Sequence, residues 1–143
     1  MTFLLRTAGV TALGLAVVAC GGGGPRGDER AIEDVFRDFF RAFENEDSAA
    51  LASLLSADCE DAESRAADAI DGFRDRSSDV DIEFDITGVD IRDLTETTAE
   101  AIPEGTSSVG GEEFPLVDSE NPEYASLIKV GGEWKLADCN ILF

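Results

Sequence analysis

The sequence predicts an α+β domain in which N-terminal helices pack against a bent, mostly antiparallel sheet. Three observations predict it. Apolar residues recur at intervals of three and four between Asp28 and Phe73, and from Asp79 onward they alternate with polar ones. Near the C-terminus, Gly131-Gly132 separates two strand-like runs.

The first helix carries Ile32, Val35, Phe36, Phe39, Phe40 and Phe43 as one wide apolar stripe. Asp28 is its expected N-cap, and Asn45, in a left-handed conformation, its expected end. A short second helix with Asp47 as cap presents Leu51, Leu54 and Leu55. A third spans Ala62 to Phe73, with Ala66, Ala69, Ile70 and Phe73 on one face and Gly72 weakening its end. The period then becomes two: Val80, Ile82, Phe84 and Ile86 alternate with Asp79, Asp81, Glu83 and Asp85. At Thr87-Gly88 the apolar phase shifts to Val89 and Ile91, as one extra residue in a β-bulge requires. Thr95 to Ile102 is a Thr-rich strand, Pro103 to Gly111 reads as a loop, and Glu112 to Val117 as an edge strand containing Pro115. In the last hairpin, Val130 facing Glu133 sets Leu127 opposite Leu136 and Lys129 opposite Trp134.

Two stretches carry a family resemblance. Phe39-Phe40-Arg41-Ala42-Phe43-Glu44-Asn45-Glu46-Asp47, leading into Leu51-Ala52-Ser53-Leu54-Leu55, is one, and Gly132-Glu133-Trp134-Lys135-Leu136-Ala137-Asp138 is the other. Together they resemble the nuclear transport factor 2-like superfamily. The resemblance implies a cone: a long helix and shorter ones packed into a strongly curved antiparallel sheet. Glu46 departs from the pattern, since many members have glycine before the aspartate. Members include isomerases, dehydratases and epoxide hydrolases that work in the cone's mouth.

Residues 1–19 read as an export leader: Arg6 is their only charge, and Thr7 to Ala19 are uncharged. A membrane span needs about 20 predominantly apolar residues, and Gly21-Gly22-Gly23-Gly24-Pro25 interrupts this run too early. Val17-Val18-Ala19-Cys20 resembles the lipobox of bacterial lipoproteins. That resemblance implies cleavage before Cys20 and a diacylglyceryl thioether on its sulfur. It also implies a membrane-anchored, extracytoplasmic location in the cell envelope, with Gly21 compatible with outer-membrane sorting. An ordinary secretory signal followed by a free cysteine is the alternative. Residues 20–27 are then a glycine-rich tether and residues 28–143 the folded domain. Cys59 and Cys139 remain as an even pair in an exported chain, which suggests a disulfide, with two buried thiols as the competing reading.

Charge narrows the partners. Acidic residues number 31 against 11 basic ones, for a net charge of −20. Such a chain is not expected to bind nucleic acid, which needs clustered Lys and Arg. Electrostatic adhesion to anionic lipid is equally disfavoured, leaving the acyl group as the membrane partner.

The chemistry is bounded by what is missing. The chain contains no histidine, which removes Ser-His-Asp triads and His-bearing metal sites. It has no phosphate-loop or nucleophile-elbow motif, and no cofactor is expected. Asp58, Glu60, Asp61 and Glu63 do not follow calcium-loop spacing, so no metal is assigned to them. Asp79, Asp81, Glu83 and Asp85 stand about 6.8 Å apart along one strand face, too far apart to share an ion. They suit steering of a basic partner. The only catalytic candidates are Asp90 and Arg92, as an acid-guanidinium pair on one strand face, and Tyr124, the single tyrosine.

Three functions follow. The first is a noncatalytic, lipid-anchored domain that binds or scaffolds an envelope protein or other component. The second is a carrier of a small apolar ligand in the cone. The third is an isomerase- or hydrolase-like enzyme. A solvent-connected cavity with a buried carboxylate beside Tyr124 or Arg92 would favour the enzyme, and a filled core would favour the binding module.

Overall fold

A computed structural model describes residues 25–118, 120 and 122–139. The leader, Cys20 and residues 20–24 of the tether lie outside the described residues. Three helices, α1 (Pro25–Glu44), α2 (Ser48–Ser53) and α3 (Ala62–Ser77), precede five strands. The strands are β1 (Ile82–Arg92), β2 (Thr98–Val109), β3 (Glu112–Pro115), β4 (Ala125–Val130) and β5 (Glu133–Leu136). They form one strongly curved antiparallel sheet in the order β1-β2-β4-β5, with β3 also paired to β2. Among the described residues no helix is long and apolar enough to cross a membrane.

Helix α1 opens at Pro25, whose missing N–H costs nothing in a first turn, so residues 25–27 are helical and not tether. Asp28 therefore lies inside the first turn and does not cap it; its carboxylate serves the far end of the chain. The helix ends in a Schellman turn: Asp47 N–H reaches Ala42 O at 2.8 Å, and Glu46 N–H reaches Phe43 O at 3.1 Å. The left-handed residue is Glu46 at φ 53°, not Asn45. This is the position at which the resembling family often has glycine, the residue with no Cβ penalty there. Glu46 gains an ion pair with Arg74 at 2.7 Å in partial return.

Asp47 caps α2 as expected, accepting from Ala50 N–H at 2.9 Å. Beyond α2, Leu55 pairs with Leu136 in a parallel bridge: Leu136 N–H donates to Leu54 O and Ser56 N–H to Leu136 O, both at 2.8 Å. The α2–α3 connection thereby covers the outer edge of β5. Helix α3 passes through Gly72 and continues to Ser77, one turn beyond the expected end.

The β1–β2 register shifts between Ile86 and Gly88, so Thr87 is the extra residue of the expected bulge. The reading of Pro103 to Gly111 as a loop is overturned: β2 runs unbroken from Thr98 to Val109, and only Gly110-Gly111 turn. Both punctuating residues have local reasons to sit in a strand. Residues Thr98 to Ala101 pair with β4 and Thr106 to Val109 with β3, so Pro103 falls in the gap where the second edge of β2 has no partner. Gly105 faces the bulge at φ 150°, where a Cβ would lie 1.9 Å from Asp85 O. The C-terminal hairpin has the expected register, Leu127 to Leu136 and Lys129 to Trp134, around Gly131 and Gly132, both at positive φ.

The core lies between the α1 stripe and the concave sheet face. Phe36, Phe39, Phe40 and Phe43 are buried against Ile86, Leu127, Trp134 and Leu136. Ala99 and Ala101, 3% and 0% exposed, supply small side chains on β2 that let the rings approach the sheet. Phe84 joins them, 4.8 Å from Phe40 between ring centroids, and Phe73 of α3 lies 5.3 Å from Phe43. Cys59 and Cys139 are at disulfide distance, with Cα atoms 5.4 Å apart, linking the α2–α3 connection to the segment after β5. A loop of 80 residues closed in this way restricts the unfolded chain by roughly 4 to 5 kcal/mol in the chain-entropy account.

Two glycine substitutions separate steric closeness from dihedral preference. Gly105→Ala is expected to lower unfolding stability by roughly 2–4 kcal/mol, because the backbone of β1 must move. Gly131→Ala has positive φ but open space around it, and should cost about 1 kcal/mol. Denaturant midpoints of the two variants check the order; equal losses would show that the approach to Asp85 carries no strain.

Candidate functional site

The three catalytic candidates of the sequence do meet. Tyr124, just before β4, donates its hydroxyl to Asp90 Oδ2 at 2.6 Å, and the Arg92 guanidinium carbon stands 3.8 Å from the centroid of the Tyr124 ring. Arg92 Nε is 4.0 Å from the same Asp90 oxygen. Because Val89 and Ile91 pack toward the core, Asp90 and Arg92 point to the opposite, convex face of the sheet. They are about half exposed there. The hydrogen bond to the Asp90 carboxylate raises the Tyr124 pKa above its ordinary value. A carboxylate already holding this proton donor, open to water and outside any enclosed cleft, is poorly placed as a general base. The group acts as a staple, joining β1 across β2 to the start of β4.

The cone interior is occupied by ring contacts. Phe39 meets Phe40 edge-on at 5.3 Å and Phe43 at 5.1 Å, and these rings continue into Phe73 and Phe84. The phenylalanine stripe is therefore core. Trp134 is the expected sheet–helix contact, 3% exposed.

Sequence reasoning missed what Trp134 does with its polar end. Its Nε1–H donates to Asp28 Oδ1 at 3.0 Å, and Lys129 Nζ donates to the same oxygen at 2.5 Å. The two charged side chains are only 16% and 20% exposed. The Lys129 hydrogen bond, then that of Trp134, holds the Asp28 carboxyl below the usual carboxylate range. The register of Lys129 and Trp134 was legible in the hairpin; Asp28, read as a cap, was the unseen third member.

Among the described residues, clefts flank the core at both ends of β1. The first, of ≈ 640 Å³, lies at the start of α1 and is lined by Arg26, Glu29, Arg30 and Glu33 against Gly88, Val89, Ile91 and Glu104. The second, of ≈ 530 Å³, lies at the far end of β1 and carries Glu44, Asp81, Glu83, Asp85 and Glu113. Glu83 and Glu113 flank Ser108 in register, so β1 and β3 extend the acidic row across three strands. Glu44 also accepts from Phe84 N–H at 2.9 Å on the outer edge of β1. Asp58, Glu60, Asp61 and Glu63 are all exposed around the entry to α3. Among the described residues no three acidic or cysteine side chains are grouped to hold a metal ion.

Asp28→Asn keeps an acceptor for Trp134 but leaves Lys129 without its counter-charge, and should destabilise the fold by about 1–2 kcal/mol at neutral pH. A folded carboxyl with depressed pKa contributes stability above the unfolded value that is lost as pH falls through the folded one. The gap between wild type and variant should accordingly close below about pH 4, as read by denaturant unfolding across pH. A gap constant down to the lowest pH would contradict the ion pair. Asp90→Asn should lower the Tyr124 pKa toward that of a free phenol; alkaline absorbance titration reads this one tyrosine alone.

No protein-family model and no curated protein sequence matches this chain. Solved structures do. A protein of unknown function with a cystatin-like fold from Nostoc punctiforme aligns with TM-score 0.54 at 13% identity, covering 76% of this chain and 85% of that one. A candidate scytalone dehydratase from Novosphingobium aromaticivorans aligns with TM-score 0.54 at 16% identity, covering 78% and 80%. A candidate dehydratase of the nuclear transport factor 2-like family from Streptomyces avermitilis aligns with TM-score 0.50 at 16% identity, covering 79% and 93%. Helix order, sheet curvature and these alignments agree on the architecture, and the chain has the cystatin-like, nuclear transport factor 2-like fold.

Proposed function

We propose that this chain is a lipid-anchored, extracytoplasmic domain that works by binding an envelope component and not by catalysis. The observation that carries the reading is the filled core: phenyl rings of α1 pack against one another and against Phe84 between the helix and the concave sheet face. Two of the similar structures are named as candidate dehydratases, but proton transfer needs an acid or base aimed into an enclosed site. Here Tyr124, Asp90 and Arg92 are committed to each other on the convex face.

The paired Cys59 and Cys139 support an oxidising compartment, in keeping with the export leader and the lipobox-like Val17-Val18-Ala19-Cys20. The surface offered to a partner is acidic, and its most concentrated part is the cleft with Asp81, Glu83, Asp85 and Glu113. It suits a partner with a basic surface, whose association would weaken with added salt.

Mass spectrometry of the N-terminal peptide from membrane fractions, with and without globomycin, tests the anchor. The expected product begins at Cys20 with a diacylglyceryl group on sulfur, and globomycin should leave the leader attached. Recovery of the chain with Met1 intact and a free Cys20 thiol would overturn the reading.

A further inference from the structure

The cleft at the start of α1 differs in charge from the rest of the surface. Elsewhere the chain is overwhelmingly acidic, but here Arg26 and Arg30 stand one helical turn apart on the cleft wall, exposed and in no ion pair among the described residues. Glu33, on the same wall, is already taken by Arg37, which donates through Nε at 3.0 Å and through Nη2 at 2.5 Å. Glu29 of the helix and Glu104 of the facing strand complete the charged lining, and Val89 and Ile91 form the apolar floor. Gly88 leaves room for the Glu104 carboxylate: a Cβ there would stand 3.2 Å from Glu104 Oε2. Two uncommitted cations and two uncommitted carboxylates around an apolar floor do not match a simple anion. They match a zwitterion, with arginines for a phosphodiester and carboxylates for a primary ammonium.

The position of the cleft says where such a zwitterion would come from. Arg26 is six residues from Cys20, a distance of about 20 Å when fully extended and roughly 13 Å on average for a glycine-rich chain. A tether of that length keeps the cleft within reach of the bilayer surface, where headgroups are present at very high effective concentration. We propose, resting on the lipid-anchor reading above, that this cleft binds the headgroup of an aminophospholipid of the phosphatidylethanolamine type. Arg26 and Arg30 contact the phosphodiester, Glu29 and Glu104 accept hydrogen bonds from the ammonium, and Val89 and Ile91 pack against the methylenes. The occupied cleft orients the cone with α1's first turn toward the membrane. That orientation turns the acidic cleft at the other end of β1 outward.

Native mass spectrometry of the full-length processed protein tests this, with dipalmitoyl phosphatidylethanolamine, phosphatidylcholine and phosphatidylglycerol supplied separately in nanodiscs. One retained phosphatidylethanolamine is expected. Phosphatidylcholine, whose quaternary nitrogen cannot donate, should be retained about fivefold less, and phosphatidylglycerol, with no ammonium, least of all. The double variant R26E/R30E should lose the adduct while keeping its circular dichroism and thermal midpoint, since both arginines are exposed. Glu29→Gln should narrow the preference for phosphatidylethanolamine over phosphatidylcholine. Equal retention of the three lipids, or retention unchanged in R26E/R30E, would overturn the headgroup site. The mass of the protein reports Cys20 acylation in the same spectrum, so failure of the anchor is seen separately. If the protein is unacylated, the same lipid order in added vesicles still supports the cleft, and absence of binding refutes it.

Discussion

The bend in the sheet at Thr87, opposite Gly105, is the constraint on which the rest of the molecule depends. An extra residue on β1 forces its neighbour β2 to approach so closely that no side chain fits between Gly105 and Asp85 O. A flat sheet would offer α1 one line of contact. The bent one cups the helix, so that the rings at Phe36, Phe39, Phe40 and Phe43 are all buried along one face about 100° wide. The bulge also changes which residues face inward. Before it the even-numbered Phe84 and Ile86 pack into the core, and after it Val89 and Ile91 do, which sends Asp90 and Arg92 to the convex side. One inserted residue thus fixes the shape of the core, the floor of the cleft at α1, and the exclusion of the acid-guanidinium pair from the interior.

Closing such a cone leaves open ends and edges, and each is held by a different interaction. Asp28 ties the first turn of α1 to the β4–β5 hairpin through Lys129 and Trp134, so the helix is fixed at its N-terminal end. The parallel bridge at Leu55 covers the β5 edge, and Glu44 occupies one amide on the β1 edge. The Cys59–Cys139 link joins the chain beyond β5 to the same α2–α3 connection. A net charge of −20 opposes compaction through self-repulsion, which gives these covalent and mostly covered polar ties more to offset than they would have in a neutral domain.

What could be read from the sequence was whatever depends on period and short range. The α1 stripe, the bulge seen as a change of phase, the Asp47 cap and the hairpin register each rest on residues within a few positions of one another. The misreadings share another cause. Pro103 and Gly105 look like loop signals, yet one sits where a strand edge has no partner and the other where a neighbouring backbone comes too close for a side chain. Both reasons exist only after the sheet is assembled. Asp28 was assigned to its nearest helix terminus because its true partners are 101 and 106 residues away. The grouping of Asp90, Arg92 and Tyr124 was partly visible, since two share a strand face, but the face they share depends on the bulge.

The space between α1 and the sheet is filled by side chains of complementary size. On β2 the inward positions are alanines, which in isolation would leave a cavity; the phenylalanines of α1, with Phe73 and Phe84, fill it. Large residues on the helix and small ones on the sheet are complementary, so a single truncation on either side would open space without creating a proton donor or acceptor within it. On the binding function proposed above, recognition falls to the rim, where charge and not volume discriminates. The rim clefts at the two ends of β1 are unlike: the one beside the start of α1 has balanced charge, and the one at the opposite end is acidic. Under the anchoring proposed above, the balanced cleft can face a zwitterionic bilayer without repulsion while the acidic one is kept at a distance from it.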